Sequence, residues 1–182
     1  MKPIYLRHET WELFDHKSLL EVFIKWMKPI HYLELGVREG TMFTEVSKYC
    51  VRATAVDITP IRFELPNNAE YHFGTTDSFF EQLSYDVKFD FIFIDADHSY
   101  EQSLKDFVNA QKYLIEDGLI VLHDTYPINT EYLRPDLCND SYKTALYIKN
   151  NMSDQFEVFT LPFPPGLTFI RKVRRSKQLL WL

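Results

Sequence analysis

The sequence predicts an α/β protein with a doubly wound, seven-stranded, mostly parallel sheet that closes with an antiparallel C-terminal hairpin. Three stretches predict it. Tyr32 to Thr41 is an apolar run that stops at Gly36 and restarts after Gly40, the pattern of a buried parallel strand, a tight turn and a helix start. Phe89 to Ile94 is almost wholly apolar and ends at Asp95, so it is buried on both faces and forms the centre of the sheet. Phe156 to Leu161 and Leu167 to Arg171 flank Pro162-Phe-Pro-Pro-Gly166, a rigid connection that suits a hairpin. Helical patterns alternate with strand patterns before that hairpin, which builds crossovers between parallel strands.

Taken in order, residues 1–30 carry a leading helix and residues 31–124 a core, within one domain spanning 1–182. Asp15 or Ser18 caps the helix, which runs to about Met27. Ser18 and Glu21 have the spacing in which two orphan backbone donors are satisfied reciprocally. Leu19, Leu20, Phe23, Ile24 and Met27 form its apolar face, expected to cover the sheet edge or the ligand cleft. A second strand runs from Ala53 to Asp57, and Thr59-Pro60 starts a short helical turn. Ala69 to Phe73 alternates as a third strand, after which Ser78 and Glu81 form a capping box for a helix through Leu83. Ser99 and Gln102 cap a longer helix that Gly118 stops. Its stripe is Tyr100, Leu104, Phe107, Val108, Gln111 and Leu114. The fifth strand is Leu119 to Leu122, ending at His123-Asp124. A proline-containing loop then leads to a helix near Ser141 to Asn150.

Composition narrows the function. A chain of 182 residues is long enough to bury about 70% of the surface its unfolded form exposes. Two cysteines, Cys50 and Cys138, are too few for a disulfide framework or a zinc site. The net charge of −6 argues against a nucleic-acid partner, which needs a concentrated basic face. The basic run from Arg171 to Lys177 reads as a solvated tail. The polar start, Met-Lys-Pro-Ile-Tyr-Leu-Arg-His-Glu, is no signal peptide, and no apolar run reaches the roughly 18 residues of a membrane span. The expectation is a cytoplasmic protein without a membrane partner.

In a doubly wound sheet, ligands bind beyond the carboxyl ends of the strands. Here those ends carry Glu34 to Gly36, Asp57, Asp95 and His123-Asp124. A dinucleotide fingerprint would need three glycines spaced G-x-G-x-x-G. Counting from Gly36, Arg38 and Thr41 stand where the second and third would be. What remains is a strand-end acid, Glu34, then Gly36 and Gly40, with Asp57 about 20 residues beyond the turn. That pattern resembles the class I S-adenosylmethionine-dependent methyltransferases. The resemblance covers roughly Tyr32 to Asp124. It implies that Glu34, Gly36, Gly40 and Thr41 hold the amino acid part of the cofactor, that Asp57 holds both ribose hydroxyls, and that Thr76, Asp77 and Ser78 lie against the adenine.

The stretch Asp95-Ala-Asp97-His98, with acidic residues ending strand five, looks like the branch of metal-assisted O-methyltransferases acting on sugar and catechol-type hydroxyls. The resemblance places Asp95 beside the cofactor and implies a divalent ion, magnesium or manganese, held by Asp95, His123 and Asp124. His123 departs from that branch, and as a softer ligand than carboxylate it shifts preference toward manganese, iron or zinc. Without a metal, His98 is the better general base, since its ordinary pKa lies near 6.5. Asp95, His98 and His123 are therefore the candidate catalytic residues. Tyr126 and Tyr132, on the loop after strand five, would present aromatic faces to a sugar or planar ring. The expected activity is methyl transfer to a hydroxyl of a small molecule, possibly a sugar. Alternatives on the same scaffold are a non-catalytic cofactor- or partner-binding protein and a hydroxylase-like metal enzyme. The few residues after Asp124 leave little room for a lid, so a second copy of the chain could supply one.

Overall fold

The computed structural model describes residues 15–173. The polar N-terminal stretch and most of the basic run after Arg171 lie outside them. The order of elements is α1 (His16–Met27), β1 (His31–Leu35), α2 (Thr41–Ser47), β2 (Arg52–Asp57), β3 (Ala69–Phe73), α3 (Thr76–Gln82), β4 (Phe89–Ile94), α4 (Tyr100–Tyr113), β5 (Leu114–His123), a 3-10 turn (Thr130–Leu133), α5 (Tyr142–Asn151), β6 (Phe156–Leu161) and β7 (Leu167–Lys172). The strands form one seven-stranded sheet in the order β3-β2-β1-β4-β5-β7-β6. Five are parallel, and β7 pairs antiparallel with both β5 and β6. The predicted class and the closing hairpin are both present.

Each face of the sheet is covered, and for this reason the central strands lack polar alternation. On one face Leu33, Ile92, Ile94, Phe107, Ala110, Ile120 and Ile148 pack together under α3, α4 and α5. On the other, Leu20 and Ile24 of α1 join Phe43, Val46, Tyr32, Phe91, Phe93 and Val121. Burying about 25 cal/mol for each Å² of apolar surface on both sides is what holds the parallel pairs in register. Leu35 lies opposite Val56 and Ile94, and Ile94 opposite Leu122. All the strand ends that carry polar residues therefore finish on one rim.

Several local expectations are corrected. Thr75, not Ser78, caps α3, its hydroxyl accepting from Ser78 N at 3.0 Å. No helical turn follows Thr59-Pro60. Helix α1 is capped by Asp15, which accepts from Lys17 N, while Ser18 donates to the same carboxylate. Gly118 does not stop α4 but lies inside β5, which begins at Leu114. The register of β5 on β4 shifts between Phe89 and Phe91, and a Cβ on Gly118 would meet Asp90 O at 2.9 Å and the Leu114 side chain at 2.7 Å. The glycine is there because two backbones approach closely at a bulge. The face of α4 is also rotated from the apolar stripe. Ser103, Asp106, Phe107, Ala110 and Tyr113 are buried, whereas Val108 is 37% exposed. Buried hydrogen bonds set this rotation: Ser103 pairs with Thr144 at 2.5 Å and Asp106 accepts from Thr76 at 2.6 Å.

Candidate active site

The turn after β1 is held by its neighbours. Gly36 has φ +83, and a Cβ there would stand 2.3 Å from the carbonyl oxygen of Asp95. A side chain would separate the ends of β1 and β4, so the close approach itself requires glycine. Gly36 N donates to Val56 O and Asp95 N donates to Leu35 O, both at 2.8 Å. Gly40 is the N-cap of α2, and Thr41, its first residue, is exposed.

Asp57 ends β2 and closes that turn. Its Oδ2 accepts from Val37 N at 2.9 Å and Arg38 N at 2.8 Å. Its Oδ1 accepts from Thr59 N at 2.8 Å and Thr59 Oγ1 at 2.7 Å. Burial works to raise its pKa, but the donors from Arg38, Thr59 and Val37 outweigh it and hold the carboxyl below its ordinary value. Two donors already serve each oxygen, so a ribose hydroxyl would bind here by displacing or sharing one of them. Glu34 is 3% exposed and accepts from Tyr32 Oη at 2.7 Å. Burial, opposed by Tyr32 and reinforced by the charge of Asp95, lifts it to about 8.

At the β3 end, Thr76 is buried and donates to Asp106 Oδ1. Gln102 Nε2 bridges Thr76 and Asp106 at 3.1 and 2.9 Å. Asp77 pairs with Lys105 at 2.6 Å, and Ser78 Oγ donates to Thr75 O. This network fixes the loop expected to face an adenine. Asp106 and Gln102 support it, although in the sequence Asp106 read only as a helix position and Gln102 only as part of the helix cap.

Beyond β4 and β5 four polar side chains meet. His98 Nε2 lies 3.1 Å from Asp124 Oδ2 and 3.5 Å from Asp95 Oδ1. His123 Nδ1 lies 2.9 Å from Asp95 Oδ1 and 3.2 Å from Asp124 Oδ2. Among the described residues, the set whose ligand atoms all fall within 4.8 Å of one another is Asp95, His98 and Asp124. His98, read from the sequence as the base of a metal-free site, belongs to that set, and the expected ligand His123 also faces both carboxylates through Nδ1. The chain turns back after β4 and brings His98 Nε2 to the same two carboxylates that His123 Nδ1 reaches from the end of β5. Asp97 stays out, exposed and accepting from Ser99 N.

The surroundings fix the charge of this cluster. His98 Nδ1 bonds the carbonyl oxygen of Leu137, so Nδ1 carries a proton and the lone pair of Nε2 faces two carboxylates. That arrangement calls for a cation between them, either a proton on Nε2 or a metal ion. The contact with Asp95 raises His98 to about 9, burial opposing and Asp124 assisting. His123 is raised as well, the two aspartates outweighing burial, and the paired imidazoles hold Asp95 well below its usual range. A cavity of about 10 Å³ bounded by Asp95, His98 and His123 has room for one small ion or water. Oxygen and imidazole donors in such a space fit a divalent ion of the magnesium-to-zinc series.

Three further residues support the cluster. Ser141 Oγ donates to Asp124 O at 2.7 Å, and Cys138 Sγ donates to Asp124 Oδ1 at 3.4 Å. Together they hold Asp124 at φ +58, a conformation that costs a non-glycine residue free energy and is maintained by its surroundings. His16, the first residue of α1, packs on His123 with ring centroids 4.3 Å apart and the planes tilted by 42°. Burial, aided by the charge of His123, drives His16 down to about 4. It is therefore neutral above that pH. No local pattern marked it, because the contact spans more than a hundred residues of chain.

Sheet order, glycine turn and polar rim together define the class I, S-adenosylmethionine-dependent methyltransferase fold. A family model described as a methyltransferase domain matches residues 33–125, and the chain belongs to that family. The structure is similar to the S-adenosylhomocysteine-bound methyltransferase PaMTH1 of Podospora anserina, with TM-score 0.70 and 17% identity over 91% of this chain and 86% of that one. It is similar to the O-methyltransferase of Bacillus cereus in complex with S-adenosylhomocysteine, with TM-score 0.65 and 14% identity over 93% and 94%. It also resembles the O-methyltransferase TomG of Streptomyces achromogenes, involved in tomaymycin synthesis and bound to S-adenosylmethionine, with TM-score 0.64 and 13% identity over 86% and 79%. No curated protein sequence matches significantly. Among the described residues no helix is long and apolar enough to cross a membrane.

Proposed function

We propose that the protein transfers the methyl group of S-adenosylmethionine to a hydroxyl of a small molecule, with a divalent ion held by Asp95, His98 and Asp124. The observation that carries this reading is the contact between the glycine turn and the cluster: the Gly36 Cα and the Asp95 carbonyl meet with no room for a methyl group between them. A cofactor seated on the turn would lie beside the carboxylates. The relatives bound to S-adenosylmethionine or its product supply the cofactor, and the O-methyltransferases among them supply the acceptor atom.

A bound ion would supply Lewis acidity that lowers the pKa of an acceptor hydroxyl. The chain's own residues would do the rest. Asp95 and Asp124 neutralise the added charge, the Leu137 carbonyl keeps His98 Nε2 aimed inward, and the turn at Gly36 aligns the donor. The acceptor oxygen forms a bond to the methyl carbon, the sulfur–carbon bond breaks, and the hydroxyl proton leaves to solvent. S-adenosylhomocysteine is the other product.

His98 as a metal-free base is the weaker reading. Raised to about 9 by Asp95 and Asp124, it is already protonated at neutral pH and cannot accept a proton there. The two readings separate in one assay of S-adenosylhomocysteine release on a panel of catechol-type and sugar hydroxyls. Turnover that disappears with chelator and returns with magnesium or manganese supports the metal. Chelator-resistant turnover that rises through pH 9 removes it and restores His98 as base.

A further inference from the structure

Asp106 occupies a position that stability alone would give to an apolar side chain. It is fully buried on the inner face of α4, where Phe107 and Ala110 of the same helix belong to the core under the sheet. A carboxylate there loses its hydration, and a well-packed hydrophobe would leave the fold at least as stable. One oxygen recovers part of the loss: Oδ1 accepts from Thr76 Oγ1 at 2.6 Å and from Gln102 Nε2 at 2.9 Å. The other, Oδ2, is buried with no hydrogen-bond partner. What the carboxylate adds is therefore direction rather than stability.

The groups it directs stand at the start of α3. Thr76 is the first residue of that helix. Gln102 Nε2 bonds Thr76 Oγ1 at 3.1 Å and Asp77 Oδ1 at 3.4 Å, and Lys105 Nζ holds Asp77 Oδ2 at 2.6 Å. Positions 102, 105 and 106 share one face of α4, so a single helix face grips two consecutive residues of the loop. The hydroxyl of Thr76 is used up, its proton given to Asp106 and a lone pair taken by Gln102. Asp77 keeps a partly exposed carboxylate with lone pairs to spare. The bond from Lys105 holds its pKa below the ordinary value, so it is an acceptor without a proton. An acceptor fixed there takes the amino group of an adenine and rejects the carbonyl oxygen of a hypoxanthine.

We propose that Asp106 is a positioning residue for the cofactor: through Thr76 and Gln102 it fixes Asp77 in the orientation that accepts the adenine amino group. The inference rests on the methyl-transfer reading, with the adenine at Thr76 to Ser78, and it adds the residue that enforces the choice of base. As an anion Asp106 only accepts, so Thr76 and Gln102 both donate to it. Once protonated it brings a donor of its own, and the direction of the Thr76 bond is no longer imposed. Burial, opposed by the bonds from Thr76 and Gln102 and reinforced by the charges of Asp77 and Asp97, lifts its pKa to about 6. The imposed arrangement is present above that pH and lost as pH falls through it. The other charged or titratable groups nearby are Lys105, paired to Asp77, and His72, whose Nε2 lies 3.3 Å from Ser78 Oγ.

The test is calorimetric titration of the full chain, from pH 5 to pH 8, with S-adenosylhomocysteine and with S-inosylhomocysteine, in which a carbonyl oxygen replaces the amino group. The wild type should prefer the adenosyl compound, and the preference should shrink below about pH 6. Asp106→Asn keeps the shape and removes the charge. At pH 7.5 it should weaken the adenosyl compound by about three- to tenfold, the scale of one hydrogen bond, leave the inosyl compound unchanged and abolish the pH step. Gln102→Met cuts the link to Asp77 without changing charge, and it should narrow the same preference even where Asp106→Asn does not fold. Equal weakening of both compounds in Asp106→Asn, an unchanged preference in both variants, or a pH step that survives in Asp106→Asn and disappears in His72→Gln would overturn the proposal. With the adenosyl compound still bound by the wild type, those results leave the methyl-transfer reading standing. No binding of either compound to the wild type would end that reading and the proposal with it.

Discussion

Asp57 and Glu34 are both strand-end acids, and their surroundings give them opposite tasks. Asp57 receives four donors from Val37, Arg38 and Thr59, so it braces the turn as well as any cofactor. Asp57→Ala should therefore lower stability as well as cofactor affinity, by about 1.5 to 3 kcal/mol for charge-assisted bonds left without a partner. Urea unfolding without cofactor and calorimetry with it separate the two effects. Glu34 keeps its proton up to about 8 in the fold, against an ordinary value of 4.5. Its folded pKa is raised, so its contribution to stability is present below 4.5 and is lost as pH rises through 8. Glu34→Gln retains a neutral group on Tyr32. It should be more stable than the wild type at pH 9, by about 2 to 4 kcal/mol from the conversion of pKa shift into free energy, and bind cofactor more weakly. Unfolding midpoints at pH 5 and pH 9 check the sign. At this scale the sequence supplied residue types but not environments: Glu34 and Asp57 read alike until their burial and donors are known.

Among the elements, α1 is the one that joins the two ends of the chain's logic. Its inner side chains, Leu20 and Ile24, pack on α2 and the sheet, Phe23 meets Phe169 of β7 at 4.9 Å, and His16 covers His123. The cap at Asp15 positions that first turn. Asp15→Ala should cost about 1 kcal/mol, the usual value of an N-cap, and should loosen His16 from His123. The histidine ring resonances in an NMR pH titration check this: the low value near 4 for His16 should move toward that of a free imidazole, upward in pH. An unmoved resonance would show that the sheet alone holds the ring. The elements also mark where local signals mislead. Gly118 carries the signature of a helix stop, yet it serves a bulge beside Asp90, because the demand for space came from a neighbouring strand.

For the whole molecule, the double-sided core is the largest stabilising feature, and its α4 side depends on few side chains. Phe107 is fully buried and meets Phe156 edge-on at 5.2 Å, so it ties α4 to the antiparallel edge. Phe107→Ala should cost about 3 to 5 kcal/mol, the range for removing a buried aromatic ring, and denaturant unfolding would measure it. A loss below 1 kcal/mol would mean that the edge folds independently of α4. The succession of strands and helices, the hairpin and the polar ends of four strands were legible in the sequence, because period, apolar run length and punctuation by glycine and proline are local properties. The candidate cofactor turn was legible for the same reason. That both His98 and His123 reach the two carboxylates was decided by tertiary structure alone. His123 and His98 are both near strand ends, but the return of the chain after β4 and the carbonyl of Leu137, almost forty residues on, aim His98 inward. The packing of His16 on His123 and the rotation of α4 about Asp106 likewise depend on contacts between distant segments. A sequence sets what each segment buries, and the direction in which a polar side chain then points is fixed only when a separate segment supplies its partner.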